Sequence, residues 1–248
     1  MDLVLPLGSG ATWNLELKYV LRSWDKYYED LGNVFLVGDE AKIKAKYPWL
    51  KKVKLIQCGD IFNRNKDANL IRKVIKAIDT QELTDPFIRA SDDQYLLKKT
   101  DSFPPMYSQN LNEKPREWWN KGSGWKNRLK RTYRILFVHK KTTFNYDVHF
   151  PLETGHDFKK IMESYPYTKS IGYTINTLYF NNSLTEHTKA EDIRLMIEIP
   201  IRDEEKVKTA LKGKTFLCYS GKGGDQALTP ALKTVIINKF KKKSKFER

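Results

Sequence analysis

The sequence predicts an α/β fold built on a mostly parallel sheet. Short apolar runs alternate with amphipathic helical patterns through residue 97, the pattern of βαβ units. At 248 residues the chain is long enough for one large domain with a sizeable core, so folding needs no disulfide or metal staple. Hydrophobic residues make up 40% and aromatics 12%, which excludes a disordered basic tail protein.

Each element follows from its local pattern. Leu3-Val4-Leu5-Pro6-Leu7 reads as a strand running into the tight loop Gly8-Ser9-Gly10. Asn14 is a helix cap, and Leu17, Val20, Leu21, Trp24 and Tyr28 share one helical face. Gly32-Asn33 ends that helix and Val34–Val37 is a second buried strand. A lysine-rich stretch, Lys42 to Lys54, leads into a third strand at Val53–Ile56. Asp67 opens a helix with Leu70, Ile71, Val74, Ile75 and Ile78 on one side. Asp85-Pro86 turns the chain into the strand Phe87–Ala90, which runs into Ser91-Asp92-Asp93.

The second half reads differently. Between Lys114 and Lys141 ten Lys/Arg face one acid, Glu117, and alternate with Trp118, Trp119, Trp125, Tyr133 and Phe137. Phe144–Pro151 reads as strand and turn, with helices at Asp157–Tyr165 and Lys169–Leu178. Further strands follow at Ile193–Ile199 and Phe216–Ser220, then a Gly-rich loop and a helix over Pro230–Phe240. Across the chain 45 Lys+Arg against 30 Asp+Glu give a formal charge of +15, which calls for a polyanionic partner: nucleic acid or an anionic surface.

Other classes fall away. Cys58 and Cys218 form no CxxC pair, so a reducing compartment is expected without a zinc site. The start MDLVLPLGSG lacks the basic and apolar regions of a signal peptide, and no apolar run approaches the roughly 18 residues of a membrane span. The expectation is a soluble, cytoplasmic protein with no membrane and no protein partner.

Ligands of open α/β sheets bind beyond the carboxyl ends of the strands, where both the Gly8–Gly10 loop and Asp92-Asp93 fall. Adjacent carboxylates repel unless a cation shares them, and Mg²⁺ or Mn²⁺ takes such oxygens together with substrate phosphates. A solvated turn is the plain alternative. Gly8-Ser9-Gly10 can bring backbone amides to a phosphate, though it is neither a P-loop nor GxGxxG. Arg64 and Lys66 can neutralise a diphosphate. Asp147 and His149 stand on one side of an extended segment, as a third metal ligand or a proton-transfer group. The basic aromatic stretch suits phosphate tracking with stacking side chains, or an ordinary solvated helix with core tryptophans. Ser220–Asp225 is a loop that can close over a ligand.

In order, the chain carries the strand with its Gly/Ser loop, then "LELKYVLRSWDKY", "NVFLVG", "YPWL", "NRNKDANLIRKVIKA", "FIRASDDQYLL", "YDVHFP" and "INKFKKKSKFE". This order resembles the GT-A-type glycosyltransferases carried by bacteriophages, related to the Stealth group of capsular-polysaccharide sugar-phosphate transferases. The resemblance covers most of residues 1–100, the YDVHFP segment and the C-terminus. It implies one GT-A-like (Rossmann-like) domain over 1–248, with a nucleotide-sugar and metal half at 1–112 and an acceptor-side half at 113–248. It also implies a nucleotide-sugar donor, a UDP-sugar for preference, and a divalent metal (Mn²⁺ or Mg²⁺).

Carried over by residue, Asp92 and Asp93 match the family's metal-binding acids, although Ser91 stands at the first position of its usual Asp-x-Asp. His149 matches a late histidine that completes the site. Leu7, Gly8, Ser9, Gly10, Thr12 and Trp13 correspond to the nucleoside loop, and Arg64, Lys66, Asn69 and Asp92 to the donor side. Asp147 or Asp225 is a candidate acceptor base if the reaction inverts configuration; a retaining reaction needs none.

Phage relatives of this kind glycosylate hydroxymethylated bases, so the expected acceptor is a 5-hydroxymethylpyrimidine, 5-hydroxymethylcytosine above all, in double-stranded DNA. Arg116, Trp118, Trp119, Lys121, Trp125, Lys126, Arg128, Lys130, Arg131 and Arg134 are the expected DNA contacts, with an aromatic wedge to help extrude the base. A phage-encoded enzyme would work in the infected bacterial cytoplasm. The alternatives are a sugar or sugar-phosphate transferase for cell-surface polysaccharide, and a non-catalytic nucleic-acid-binding protein.

Overall fold

The computed structural model describes residues 1–8, 15–63, 65–120, 124–147, 149, 151–169, 171–190, 194–197, 200–219 and 228–248. The first strands and helices run β1 (Leu3–Pro6), α1 (Glu16–Tyr27), β2 (Val34–Gly38), α2 (Glu40–Lys46), β3 (Lys54–Gln57), α3 (Lys66–Ile78), β4 (Phe87–Arg89) and β5 (Tyr95–Leu96). Two short strands, β6 (Met106–Tyr107) and β7 (Gln109–Asn110), precede α4 (Arg116–Asn120) and α5 (Gly124–Val138). Then come β8 (Phe144–Asn145), β9 (Leu152–Thr154), α6 (Asp157–Glu163) and α7 (Ile175–Ser183). The chain closes with β10 (Thr188–Lys189), β11 (Arg194–Ile197), α8 (Glu204–Leu211), β12 (Phe216–Tyr219) and α9 (Pro230–Lys239).

Among the described residues the main sheet has the order β3-β2-β1-β4-β9. Its first four strands are parallel and β9 alone is antiparallel. The chain therefore moves outward from β1 to β3, then returns through α3 to lay β4 on the other side of β1. That reversal is a topological switch point, and it lies between the strands that end at Leu7-Gly8 and at Ser91–Asp93. A smaller sheet, β11-β12-β5, joins the second half of the chain to the segment just after Asp93.

The expected helix faces are the buried ones. Leu17, Val20, Leu21 and Trp24 of α1 are fully buried, and Trp24 stacks on Phe103 at 5.2 Å. Asn65 caps α3 by accepting from the Ala68 amide at 3.0 Å. Two elements differ from expectation. The Lys42–Lys54 stretch begins inside α2, which Asp39 caps by accepting from the Lys42 amide. Residues 171–174 are not helical, and α7 starts only at Ile175. There the chain crosses α5 instead, with the Thr174 amide donating to Thr132 Oγ1 at 2.9 Å. Gly172 allows that crossing, because a Cβ at this position would collide with the Asp67 and Asn65 side chains.

The C-terminal segment is docked. Arg22 on α1 donates from Nε and Nη2 to the two Glu247 carboxylate oxygens, each at 2.7 Å, and from Nη1 to the Phe240 carbonyl. Ser244 adds its amide and hydroxyl to Glu247 Oε1. No helix among the described residues is long and apolar enough to cross a membrane.

Candidate active site

Because β1 to β4 are parallel, their carboxyl ends share one edge of the sheet, and among the described residues two cavities open there. The larger, about 690 Å³, is lined by Leu7 and Gly8 after β1, Asp39 to Tyr47 around α2, Gly59 and Asp60 after β3, and Lys73 of α3. The smaller, about 240 Å³, lies beyond β4 and is lined by Ser91 and Gln94, by Asp67, Arg89, Trp125 and Arg128, and by Asp147 and His149.

Asp92 and Asp93 line neither, but the residues on either side of them, Ser91 and Gln94, line the smaller. Their turn is closed by the Ser91 amide donating to Gln94 Oε1 at 3.0 Å and by the Gln94 amide donating to the Ser91 carbonyl at 3.2 Å. Ser91 and Gln94 line the smaller cavity, while Lys46 and Lys73, whose charges act on Asp92, line the larger. Burial, and then the neighbouring Asp92, raise the Asp93 carboxyl to about 7, and burial raises Asp92 as well. Glu16, on the first turn of α1, is raised to about 8 by burial and then by Asp92, although the Tyr219 hydroxyl donates to it. Residues 16, 92 and 93 thus act on one another through their charges, with Lys46 opposing them at Glu16 and Asp92.

Such a donor set suits a hard divalent cation. Two adjacent carboxylates, both pushed up by burial and Asp93 also by its neighbour Asp92, are relieved when a cation arrives, and oxygen-only ligands match Mg²⁺ or Mn²⁺. Asp92 and Asp93 would hold the ion. His149 is not brought to them: among the described residues no three His, Cys, Asp or Glu side chains group as a metal centre. Its Nε2 lies 3.7 Å from Asp147 Oδ1, and its φ of 53° ends the extended run expected of that segment. Asp147 in turn accepts from the Trp125 indole through Oδ2.

The architecture can be compared with known proteins at this point. No protein-family model matches the chain, and no curated protein sequence matches it significantly. Solved structures do. A crystal structure of the galactosyltransferase LgtC in complex with donor and acceptor sugar analogs aligns with a TM-score of 0.54 at 12% identity, covering 99% of this chain and 98% of that one. An active-site mutant of LgtC aligns with the same figures. The fold is that of LgtC. The GT-A-like architecture expected from the sequence is therefore the observed one, along the whole length of both chains.

On this LgtC-like frame the expected site residues divide. Leu7 and Gly8 line the larger cavity, and Lys73 Nζ secures Leu7 by donating to its carbonyl at 2.6 Å and to Asp60 Oδ1 at 2.5 Å. Ser9, Gly10, Thr12, Trp13, Arg64, Lys121 and Asp225 lie outside the described residues, as does the Asn14 cap. Asn69 is committed to the fold: its Oδ1 accepts from the Ile61 and Phe62 amides and its Nδ2 donates to the Phe62 carbonyl. Lys66 is exposed at the start of α3 and lines neither cavity.

The basic aromatic segment is only partly an outer surface. Arg128 pairs with Asp67 at 2.6 Å, and Arg131 donates to the Ile171 carbonyl and lies over the Tyr173 ring. Lys126 donates to the Trp118 carbonyl and sits over its ring, while Trp125 turns inward to Asp147. The indole expected as a wedge is thus half-buried in the smaller cavity's wall. Trp118, Trp119, Tyr133 and Phe137 form a run of ring contacts at 4.8, 5.0 and 6.0 Å, Lys130 is half-buried, and Arg116 and Arg134 face solvent. The physical reason is the helix itself: α5 packs one side on α7, so residues at that spacing are drawn inward whatever their charge.

Glu16, Lys73 and Arg89 are site residues that sequence reasoning missed. The signal was present for two of them. Glu16 is four residues before Val20 on the apolar stripe of α1, and Lys73 lies among the apolar positions of α3. A charge on a buried stripe needs a specific partner or a specific use. Arg89, on β4, is driven down to about 10 by burial.

Proposed function

We propose that this chain is a nucleotide-sugar-dependent glycosyltransferase. One observation carries the reading: an adjacent acidic pair with both carboxyls raised by burial follows β4 at the switch point, beside Ser91 and Gln94 of the smaller cavity, on an LgtC-like fold. The nucleoside diphosphate fits the larger cavity, against Leu7, Gly8 and Tyr47, with Lys46 and Lys73 as the cations beside the phosphates. Asp92 and Asp93 would hold a divalent ion, which when bound would supply positive charge against the departing diphosphate. Asp93 must be ionised to bind it, so donor binding is expected to strengthen as pH rises through about 7.

In an inverting reaction, Asp147 and His149 form the base. Trp125 occupies one Asp147 oxygen and His149 approaches the other, so the pair can take the proton of an acceptor hydroxyl entering the smaller cavity. A UDP-sugar is the preferred donor, and the site halves at 1–112 and 113–248 correspond to donor and acceptor sides.

For the acceptor we propose DNA carrying a 5-hydroxymethylpyrimidine, 5-hydroxymethylcytosine first. The net charge of +15 supports this, as do the solvent-facing Arg116, Arg134, Lys140 and Lys141 at the outer side of α4 and α5. The acceptor sugar analog bound by LgtC favours a second reading, a saccharide acceptor. Mass spectrometry of nucleosides from hydroxymethylated DNA, incubated with Mn²⁺ and a panel of nucleotide sugars, tests the first directly. A hexose adduct is expected. Sugar transfer to oligosaccharides with no DNA adduct would replace the DNA acceptor, and no transfer to either would remove the enzymatic reading.

A further inference from the structure

Building on the DNA-acceptor reading, we propose that the docked C-terminal segment and the adjoining Lys51-Lys52 form a second docking face for the phosphate backbone of duplex DNA. Six Lys/Arg stand in residues 239–248 against one acid, Glu247. That acid is buried and both its oxygens accept from Arg22, so its charge is answered inside the fold. The backbone around it is held at several points. Arg22 Nη1 donates to the Phe240 carbonyl at 2.9 Å and to the Lys241 carbonyl at 3.3 Å. The Lys51 amide donates to the Phe246 carbonyl at 2.8 Å, and the Arg248 amide to the Trp49 carbonyl at 2.9 Å. Two stretches distant in sequence thus lie edge to edge, with Lys51, Lys52, Lys241, Lys242 and Lys245 exposed. Lys245 is engaged locally, its Nζ donating to the Leu31 carbonyl and its amide to Asp25 Oδ2. Among the described residues no acid forms an ion pair with Lys51, Lys52, Lys241 or Lys242.

Gathering like charges on an ordered surface costs free energy that a bound polyanion relieves. Ammonium groups on an open surface suit a row of phosphates, with affinity drawn from released counterions. None of these four lysines lines the larger or the smaller cavity, so the face suits an extended polyanion rather than an enclosed small one. An anionic membrane would ask for apolar side chains to insert beside the lysines. Here Phe240 and Phe246 are buried, and residues 49–52 and 241–248 expose no large apolar side chain. The face also adjoins the donor side: the Leu50 amide donates to the carbonyl of Tyr47, which lines the larger cavity. It therefore lies on elements other than the α4 and α5 that carry Arg116 and Arg134. Lysine–phosphate contacts carry no sequence information, which suits an enzyme that modifies a base wherever it occurs.

The test compares wild type with two triple variants of equal net charge. One is Lys51→Ala/Lys241→Ala/Lys242→Ala, and the control is Lys98→Ala/Lys189→Ala/Lys212→Ala, at exposed lysines elsewhere. Fluorescence anisotropy with a short unmodified duplex, from about 50 to 200 mM salt, gives the slope of log K against log salt. The first triple should lower that slope by about two to three, while the control leaves it unchanged. Both should keep the wild-type urea midpoint and bind UDP with Mn²⁺ within about twofold of wild type. Equal slopes for wild type and the first triple, or equal losses in both triples, would overturn the docking face. Sedimentation with phosphatidylglycerol vesicles that depends on these three lysines, without lysine-dependent DNA binding, would assign the face to lipid instead. A wild type with no salt-dependent DNA binding would bring down the DNA-acceptor reading on which the inference stands.

Discussion

Two buried carboxylate clusters in this protein are handled in opposite ways. Glu247 is buried against α1, where desolvation works against its charge. Two nitrogens of Arg22, the Ser244 amide and hydroxyl, and Lys18 at 3.4 Å outweigh that cost and hold it down at about 2. Asp93 is desolvated too, but the charge that acts on it is that of another acid, Asp92, and it is pushed up to about 7. One cluster is solved within the chain and serves the fold. The other is left for something from outside, at the carboxyl end of β4 beside the smaller cavity. Burial alone does not separate structural from functional carboxylates; the sign of what surrounds them does.

Breaking each cluster should therefore have opposite consequences. Asp93→Asn is expected to lower transfer by about a hundredfold or more and to abolish the Mn²⁺-dependent thermal shift with UDP, while the metal-free protein stays folded. Retained turnover would move the metal site elsewhere. Glu247→Gln should leave the donor site intact and destabilise by about 3–5 kcal/mol, because Arg22 then stays buried with its partner gone. Urea unfolding followed by circular dichroism measures it, and an unchanged midpoint would mean that the latch contributes nothing.

The two clusters should also answer pH from opposite sides. Glu247, depressed in the fold, contributes stability above its ordinary 4.5 and loses it as pH falls toward 2. Asp93, raised in the fold, contributes below its ordinary 3.8 and loses it as pH rises through about 7. In metal-free protein, Asp93→Asn should flatten the decline of the melting temperature between pH 4 and 8, and Glu247→Gln should flatten the acid limb below 4.5. Parallel profiles for wild type and both variants would erase the distinction. The smallest effect belongs to the outer surface: Arg116→Ala and Arg134→Ala should each lower the salt slope of DNA binding by about one and change stability by no more than about 0.5 kcal/mol. Arg128→Ala, in contrast, should perturb the fold, since that guanidinium is spent on Asp67.

Much of the frame was legible. Hydrophobic periodicity located α1, α3 and the strands of the parallel sheet because burial acts on every residue of a stripe, and the pattern repeats within a few residues. Strand ends, and with them Asp92-Asp93 and Leu7-Gly8, followed from the same signal. The basic segment at 114–141 was legible as charge but not as geometry. Its sum says nothing about which side of α5 faces α7, so the expected outward set includes Trp125 and Arg128, which line the smaller cavity, and Arg131, which is spent on the Ile171 carbonyl. The helix expected at 169–178 failed for a related reason, since the close passage at Gly172 past Asp67 depends on an element a hundred residues away.

By itself, then, the sequence determined the α/β architecture, the strand-end location of the acidic pair and the overall positive charge. Each of these depends on neighbours along the chain or on a simple count. Only the tertiary structure decided that Glu16 is buried under the charge of that pair, that Glu247 is spent on Arg22, and that Asp67 is spent on Arg128. Those outcomes depend on dielectric and on partners brought together from distant positions, and such energies are fixed by distance in space, to which the linear order gives no measure.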